Sequence, residues 1–377
     1  MRSSNRQQVP AHLRDANRDG KAFGDGVGYR YPHAYAEHWV AQQYLPTALQ
    51  GQLFWQPGTL GWEGERRRQL QQRRAAQLAA AAEHEVELGE VLSSAPDDPA
   101  LERWLQRQLS GEGERLDQLR RQLWQDTTWH RHDRVLILEA RSLLWALDPL
   151  QHTPEGGVVI QAAGDAEVQR LEAQLQVLDA LQRPQILNAP LSDLVAALEP
   201  GQRFEWIAAR HPWRDASAAE LKRQITALTA LAAPQAQLRL LFTTPLLGPA
   251  GAVLAMGASN VAGHAETLAP LEGMLEPLAA QEPLWLAAPP QPQQLVDQLR
   301  RQGWRCELSS WEERLELPVT AGLLERWFQP GARYRAQLEE QRSPEEIALL
   351  QQWLSALEGR RLPQRLQHQL LVARQQP

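Results

Sequence analysis

The hydrophobic pattern is most regular from Arg134 onward. Short apolar runs of strand length alternate there with longer segments whose apolar residues recur with the period of a helix. The strand-like runs are RVLILEA (Arg134–Ala140), GGVVIQAA (Gly156–Ala163), PQILNA (Pro184–Ala189), RFEWIAA (Arg203–Ala209) and AQLRLLFTTP (Ala236–Pro245). Strands that alternate with helices form parallel sheets through right-handed crossovers. The pattern therefore predicts a doubly wound α/β domain with a mostly parallel sheet.

Beyond Pro245 the pattern loosens into a segment rich in Gly, Pro and Ala, for which no element is predicted. Regularity returns with predicted helices at Gln291–Trp304, Ala321–Phe328 and Pro344–Leu357, and a strand-like run, RCELSSWEERLEL, follows the first of them. The last apolar segment, RLQHQLLVARQ, fits either a strand or a helix. The α/β domain is expected to cover residues 130–377.

The first 129 residues differ from this domain in composition and in hydrophobic periodicity. Residues 1–64 are rich in Gly, Pro, Tyr, Trp and His and show little periodicity, which is typical of an extended, non-globular arm. Residues 65–129 are dominated by Arg, Gln, Glu, Ala and Leu, in two helical stretches that SSAPDDPA (Ser93–Ala100) separates with two prolines. The predicted order is an aromatic arm, a helical linker and the α/β domain.

Composition and charge limit the cellular compartments and the binding partners that can be expected for this protein. The net charge of −6 and isoelectric point of about 6.0 give no global positive field for nucleic acid. The single cysteine, Cys306, excludes an intrachain disulfide and is expected to be a small buried apolar residue. No secretory signal or membrane-length apolar run is visible, which indicates a cytoplasmic protein. His130 and His132 lack identifiable further ligands, so a solvated turn is predicted rather than a metal site.

A local basic run lies in the helical linker. ERRRQLQQRR (Glu65–Arg74) places five arginines on little more than two helical turns, namely Arg66, Arg67, Arg68, Arg73 and Arg74. Such a face is a candidate DNA contact, and its binding would depend on salt. Acidic residues surround it in sequence, so a solvated or interhelical face is the alternative.

The turn after the first strand is where a doubly wound fold binds a nucleotide-type cofactor. On RVLILEARSLLWALDPL, this segment resembles motif I of class I S-adenosylmethionine-dependent methyltransferases, which runs from a strand through an acidic residue to a glycine-rich turn. The resemblance places Ile137 at the acidic position and Glu139, Arg141 and Leu143 where the glycines would fall. Gln161 falls near the place of the acidic residue that would hold the cofactor's ribose.

Two interpretations of this altered motif remain open. Glu139, Arg141 and Gln161 would bind S-adenosylmethionine in an unusual way, or the domain is a scaffold that binds no cofactor. Because glycine permits close approach of a ligand to the backbone, its replacement by larger residues favours the scaffold. At the fourth strand, Arg210, His211 and Pro212 resemble the position of the motif that contacts a methyl acceptor.

The segment from Val9 to Leu70 carries rare residue types in a distinctive order. The distinctive residues are Pro10, His12, Leu13, Arg14, Asp15, Gly28, Tyr29, Tyr31, Pro32, His33, Gln43, Tyr44, Leu45, Pro46, Gly51, Phe54, Gly61, Glu63 and Arg68. On these residues the segment resembles the C-terminal end of replication-associated recombination protein A, the RarA/MgsA family. In some members a methyltransferase-like domain is fused behind this end, as the α/β domain is here.

The resemblance implies a relation to AAA+ ATPases that act at stalled replication forks. Members bind DNA and single-strand-binding protein and form oligomers through a helical collar. The ATPase core and most of the collar have no counterpart in this sequence. ATP binding is therefore implied only for that missing core. The chain is expected to be part of a larger or split protein. Aromatic side chains give large contact areas. The expected interface residues are Tyr29, Tyr31, His33, Trp39 and Tyr44.

Two functions follow from these resemblances. The first is an accessory, noncatalytic C-terminal portion of a RarA-type factor in DNA replication, recombination and repair. The alternative is an active S-adenosylmethionine-dependent methyltransferase that acts on nucleic acid or on a replication protein.

Overall fold

The computed structural model describes residues 44, 58, 60–87, 113–162, 164–175, 183–214, 216–256, 265–287, 290–319 and 321–376. Seven strands form one sheet in the order β3-β2-β1-β4-β5-β7-β6. They are β1 (Val135–Ala140), β2 (Val158–Ala162), β3 (Gln185–Leu187), β4 (Phe204–Arg210), β5 (Ala232–Pro245), β6 (Trp304–Pro318) and β7 (Arg361–Gln375).

Up to β5 the sheet has the strand order of a doubly wound fold. The chain adds β2 and β3 on one side of β1 and then returns to add β4 and β5 on the other side. β2 is parallel to both β1 and β3, whereas β7 is antiparallel to β5 and β6. The predicted fold class, a doubly wound, mostly parallel α/β sheet, is confirmed. The final segment, left open between strand and helix, is strand β7.

Helices lie between the strands. Before β1 are α1 (Gly61–Glu87) and α2 (residues 113–123), and after β1 come a 3-10 helix (Leu143–Ala146) and α3 (Leu147–His152). The others are α4 (Asp165–Leu175), α5 (Leu191–Ala197), α6 (Ala218–Leu231), α7 (Pro249–Met256), α8 (Ala265–Leu286), α9 (Pro292–Arg301), α10 (Ala321–Phe328), α11 (Arg333–Glu339) and α12 (Pro344–Ser355).

Local sequence explains where some of these helices begin. The Ser217 side chain accepts a hydrogen bond from the backbone N–H of Glu220 and so caps α6. At α12, Ser343 and Glu346 form a reciprocal capping box. Helices α7 and α8 occupy the stretch for which the sequence predicted no element, because their apolar residues are too evenly distributed to show a helical period.

The chain forms two compact units, Met1–Ala208 and Ala209–Pro377. In the first unit, β1 is buried and α2 packs near the 3-10 helix, since Trp124 Nε1 donates to the Trp145 carbonyl at 3.0 Å. Arg120 on α2 forms an ion pair with Asp148 on α3. In the second unit, helices α7, α8 and α10–α12 share a hydrophobic core with the start of β7.

Candidate functional site

The carboxyl end of β1 has an unusual backbone. Glu139, at one of the predicted glycine positions, has a φ of 46°, which a residue with a side chain rarely adopts. The pairing of β1 with β2 also shifts register between Ile137 and Ala140. Residues held in such conformations cluster at ligand sites, although the surrounding structure must stabilise them. The side chains around Glu139 show what stabilises this turn.

Gln161, predicted to stand at the ribose position, binds protein backbone instead. Its Oε1 accepts from the Glu139 N–H at 2.8 Å. Its Nε2 donates to the carbonyl oxygens of Ala162 at 3.2 Å and Ala189 at 3.1 Å. The side chain is buried, so both ends of its amide are used by the backbone of three segments. Gln161 thus ties together the ends of β1 and β2 and the residues that follow β3.

The residues that follow Glu139 in this turn are largely buried. Leu143 stands at another predicted glycine position and is buried together with Leu144 and Trp145 of the 3-10 helix. The Leu143 N–H donates to the buried Gln174 Oε1 at 3.0 Å. Arg141 is half-buried. Large apolar side chains therefore fill the position at which a glycine-rich turn would expose its backbone.

Helix α1 packs against this same 3-10 helix. Ala75, Ala76 and Ala79 are buried and fall on one face of α1, where their small side chains permit close approach. The helix thus joins the linker to the turn after β1.

We expect Gln161→Ala to lower the free energy of unfolding by about 2–3 kcal/mol, because it removes three hydrogen bonds of a buried side chain and leaves the Glu139 N–H without its acceptor. Urea denaturation of the full chain measures the change. Asn188→Ala is the matched control, since the Asn188 amide at the same edge of the sheet bonds to the exposed Asp165 carboxylate. An equal effect of the two substitutions would contradict the structural role of Gln161.

The predicted acceptor-site residues lie at the carboxyl end of β4 in the second unit, where Arg210 ends the strand and His211 and Pro212 follow it. Arg210 and Pro212 are buried, and His211 has a φ of 49°. The His211 N–H donates to the Leu241 carbonyl at 3.0 Å, and its ring meets Phe242 edge-on at 6.2 Å between centroids. Trp213, which is also buried, has a φ of 58°. The segment is a packed turn in a strained conformation.

The linker arginines do not form a uniformly exposed face. Arg66 is exposed and donates to the Gln69 side chain at 3.0 Å, whereas Arg67, Arg73 and Arg74 are half-buried. Burial lowers the pKa of the Arg74 guanidinium. The Arg68 side chain lies outside the described residues. Among the arginines of this run whose side chains are described, Arg66 is therefore the one that can meet a phosphate without rearrangement.

The aromatic arm is described at one of its predicted interface residues. Tyr44 is exposed, at 43% of its surface. Tyr29, Tyr31, His33 and Trp39 lie outside the described residues.

Cys306 is buried as predicted, and it forms no disulfide. Burial raises the pKa of its thiol against the opposing effect of Arg300, so the thiol is held protonated. Within the described ranges, no group of three or more His, Cys, Asp and Glu side chains is arranged to hold a metal ion. The helices of the described part of the chain include none long and apolar enough to cross a bilayer.

A buried carboxylate in the second unit was not anticipated. Glu282 on α8 is fully buried and accepts hydrogen bonds from the N–H groups of Ala250 and Gly251, both at 2.8 Å. The Tyr334 hydroxyl donates to it at 2.7 Å. The carboxylate therefore caps the N-terminus of α7, where the helix dipole favours negative charge. Its only signal in the sequence is one acidic residue in PLAAQEPLWL, where Gln281 is the other polar residue.

A second unexpected chain of polar groups crosses three strands. Thr243 Oγ1 lies 3.0 Å from His368 Nδ1, and His368 Nε2 lies 2.9 Å from Glu313 Oε2. Hydroxyl, imidazole and carboxylate in this order also occur in hydrolases. The imidazole of His368 is completely buried, however, so this chain acts as a polar tie between β5, β7 and β6.

Comparison with known families concerns mainly the N-terminal region. Residues 1–74 match the family model for the MgsA AAA+ ATPase C terminal domain, which confirms the predicted resemblance. Replication-associated recombination protein A of Bacillus subtilis (strain 168) is 44% identical over 54 residues, which are 14% of this chain and 13% of that protein. The chain thus matches a small part of that relative's length.

Solved structures, a methyltransferase among them, resemble most of the chain at low identity. YcgJ protein from Bacillus subtilis has a TM-score of 0.43 and 11% identity, with 70% of this chain and 99% of that chain covered. Geranyl diphosphate C-methyltransferase from Streptomyces coelicolor A3(2) has a TM-score of 0.37 and 8% identity, with 77% and 85% covered. Likeness at this level says nothing of what this chain binds.

Proposed function

We propose that this chain is an accessory, noncatalytic portion of a RarA-type replication and recombination factor. Residues 1–74 dock on the AAA+ core and helical collar of such a factor, in the same or a separate polypeptide. The α/β domain is a scaffold for contacts with further partners, among which single-strand-binding protein and DNA are candidates. ATP enters only through the AAA+ core.

The match of residues 1–74 to the MgsA C-terminal family model carries this proposal. Helix α1 begins inside the matching segment and continues past it to Glu87. The buried alanines of α1 lie just beyond the match, and α1 packs against the 3-10 helix after β1. The same helix therefore belongs to the MgsA-like segment and to the packing of the α/β domain.

The turn after β1 supports a scaffold rather than a methyltransferase. A nucleotide-type cofactor needs close approach to backbone at this turn. Here Gln161 is fully engaged by backbone groups, and Leu143, Leu144 and Trp145 are buried. The residues present do not fit S-adenosylmethionine in its usual place.

We expect isothermal titration of the full chain with S-adenosylmethionine to give no heat of binding, because the turn is packed and the Gln161 amide is bound to backbone groups. A clear heat with one-site stoichiometry would overturn the scaffold proposal. In that case Glu139→Ala is the diagnostic variant: loss of the heat would place the cofactor at this turn, and the methyltransferase alternative would stand.

Docking is tested separately, so that the two parts of the proposal can fail independently. The full chain is mixed with a RarA-type AAA+ protein that lacks its own C-terminal domain, and the mixture is run on a size-exclusion column. Co-elution supports the docking of residues 1–74. If the two proteins eluted separately even when both were present well above the concentrations at which protein subunits ordinarily associate, the docking proposal would be overturned.

The methyltransferase alternative predicts transfer of a labelled methyl group to nucleic acid or to a replication protein. Glu139→Ala and His211→Ala should both abolish such transfer if these residues bind cofactor and acceptor. A purified transfer activity that survives both substitutions would remove these residues from the alternative.

A further inference from the structure

Aromatic rings gather just before β1, in the first unit. Trp129 is half-buried, and its ring centroid lies 5.0 Å from that of Trp124 and 4.8 Å from that of Trp206. Beside it lie three histidines, His130, His132 and His152, all exposed to solvent. We call Trp129 and these histidines the aromatic platform. It shares no residue with the turn after β1 or with the linker arginines.

Two ring stacks of the platform end in solvent. His152 lies over Trp129 with ring planes 14° apart and centroids at 5.9 Å. The His152 Nδ1–H donates to the Asp148 carbonyl at 2.7 Å, which fixes the orientation of the imidazole. His130 and His132 form the second stack, with centroids at 5.8 Å and planes 30° apart. Each stack therefore ends in a solvent-exposed histidine, whose imidazole a further flat ring could contact.

The segment that carries these rings is held rigidly. The buried Asp133 Oδ2 accepts from the His130 N–H at 2.9 Å and from Trp206 Nε1 at 2.8 Å. The N–H groups of Glu155 and Gly156 donate to the Arg131 carbonyl at 2.9 and 3.1 Å. The platform is thus in place before any ligand arrives, which lowers the entropy lost on binding.

We propose that the aromatic platform binds single-stranded nucleic acid. Successive bases stack on the exposed faces of His152 and of the His130–His132 pair, since every base has a flat π-face and such stacking tolerates any sequence. Arg131 stands between the histidines with 71% of its side chain exposed, paired to the exposed Glu155, and can exchange this partner for a phosphate. Paired flat rings and an adjacent cation match a strand of stacked bases.

The first test measures binding of a fluorescent oligo(dT) to the full chain by anisotropy. We expect His152→Ala and His132→Ala each to weaken binding about tenfold, the loss typical of one stacked base. His152→Phe and His132→Phe keep a flat ring and should bind within about twofold of the unchanged protein, as expected for stacking. Equal losses for the Ala and Phe variants, or no loss for either, would overturn the proposal.

The second test needs no variant in the platform. An abasic oligonucleotide has the same charge but no bases, so we expect it to bind much more weakly than oligo(dT). Equal binding of the two would show that phosphate contacts alone are responsible and would overturn stacking. Leu284→Ala, which removes a 77% exposed apolar side chain from α8, is the control and should leave affinity unchanged. Comparison of oligo(dT) with oligo(rU) shows whether DNA or RNA is the better strand.

Discussion

Glu282→Ala should lower the free energy of unfolding by about 3–5 kcal/mol, one of the two largest losses that we expect from a single substitution. The change removes the acceptor of the Ala250 and Gly251 N–H groups and of the Tyr334 hydroxyl, all within the core of the second unit. It also leaves a cavity, which adds to the loss. Hydrogen exchange in Pro249–Met256 should rise with it, since α7 loses its N-terminal cap.

Tyr334→Phe is the matched control for this network. It removes one donor but leaves the two backbone N–H groups bound to Glu282, so we expect a loss of about 1–2 kcal/mol. The protection of α7 from exchange should change little. If Tyr334→Phe destabilised the protein as much as Glu282→Ala, the capping of α7 would not be the main role of the carboxylate.

The same carboxylate should make stability depend on pH. Burial raises the pKa of Glu282 above its ordinary value, although hydrogen bonds from Gly251, Tyr334 and Ala250 oppose the shift. The folded state therefore binds this proton more tightly than the unfolded state does. The resulting stabilisation is complete below the ordinary glutamate pKa of about 4.3 and is lost as the pH rises through the raised value. Glu282→Gln should lack this contribution in urea titrations across that range.

The strands and most helices could be predicted because each is specified by a local pattern. The six predicted strands β1–β6 appear where the strand-like runs stand, and α10 has the predicted bounds Ala321–Phe328. The stretch that holds α7 and α8 escaped prediction because both helices are largely apolar and lack a polar face in sequence. Periodicity identifies a helix only when one side of it meets water.

The roles of individual site residues could be predicted less well, because their partners are distant in sequence. Gln161 was placed correctly at the end of β2, but its partners Glu139 and Ala189 lie 22 and 28 residues away. His368 meets Thr243 across 125 residues. Such partners are set by strand order and register, which no local pattern contains. Whether Glu139, Arg141 and Gln161 bind a cofactor stays a prediction for the titration described above.

Gly156→Ala should be the other large loss, at about 3 kcal/mol or more, because the site has no room for a side chain. A Cβ on Gly156 would stand 2.0 Å from the Asp133 carbonyl oxygen and 2.3 Å from that of His132. Both are backbone atoms, so relief requires the segment of the aromatic platform to move. We therefore expect a lower melting temperature and, with it, weaker binding of oligo(dT).

Gly157→Ala is the control that distinguishes this steric clash from the backbone strain of placing alanine in a left-handed conformation. Gly157 has a φ of 88°, but a Cβ there would meet nothing within 4 Å. Its replacement should thus cost only the left-handed backbone strain, about 1–2 kcal/mol, and leave the platform in place. Since the two glycines are adjacent in one turn, any general intolerance of that turn would affect both equally. A loss for Gly156→Ala no greater than that for Gly157→Ala would mean that the contact with Asp133 does not hold the platform in position.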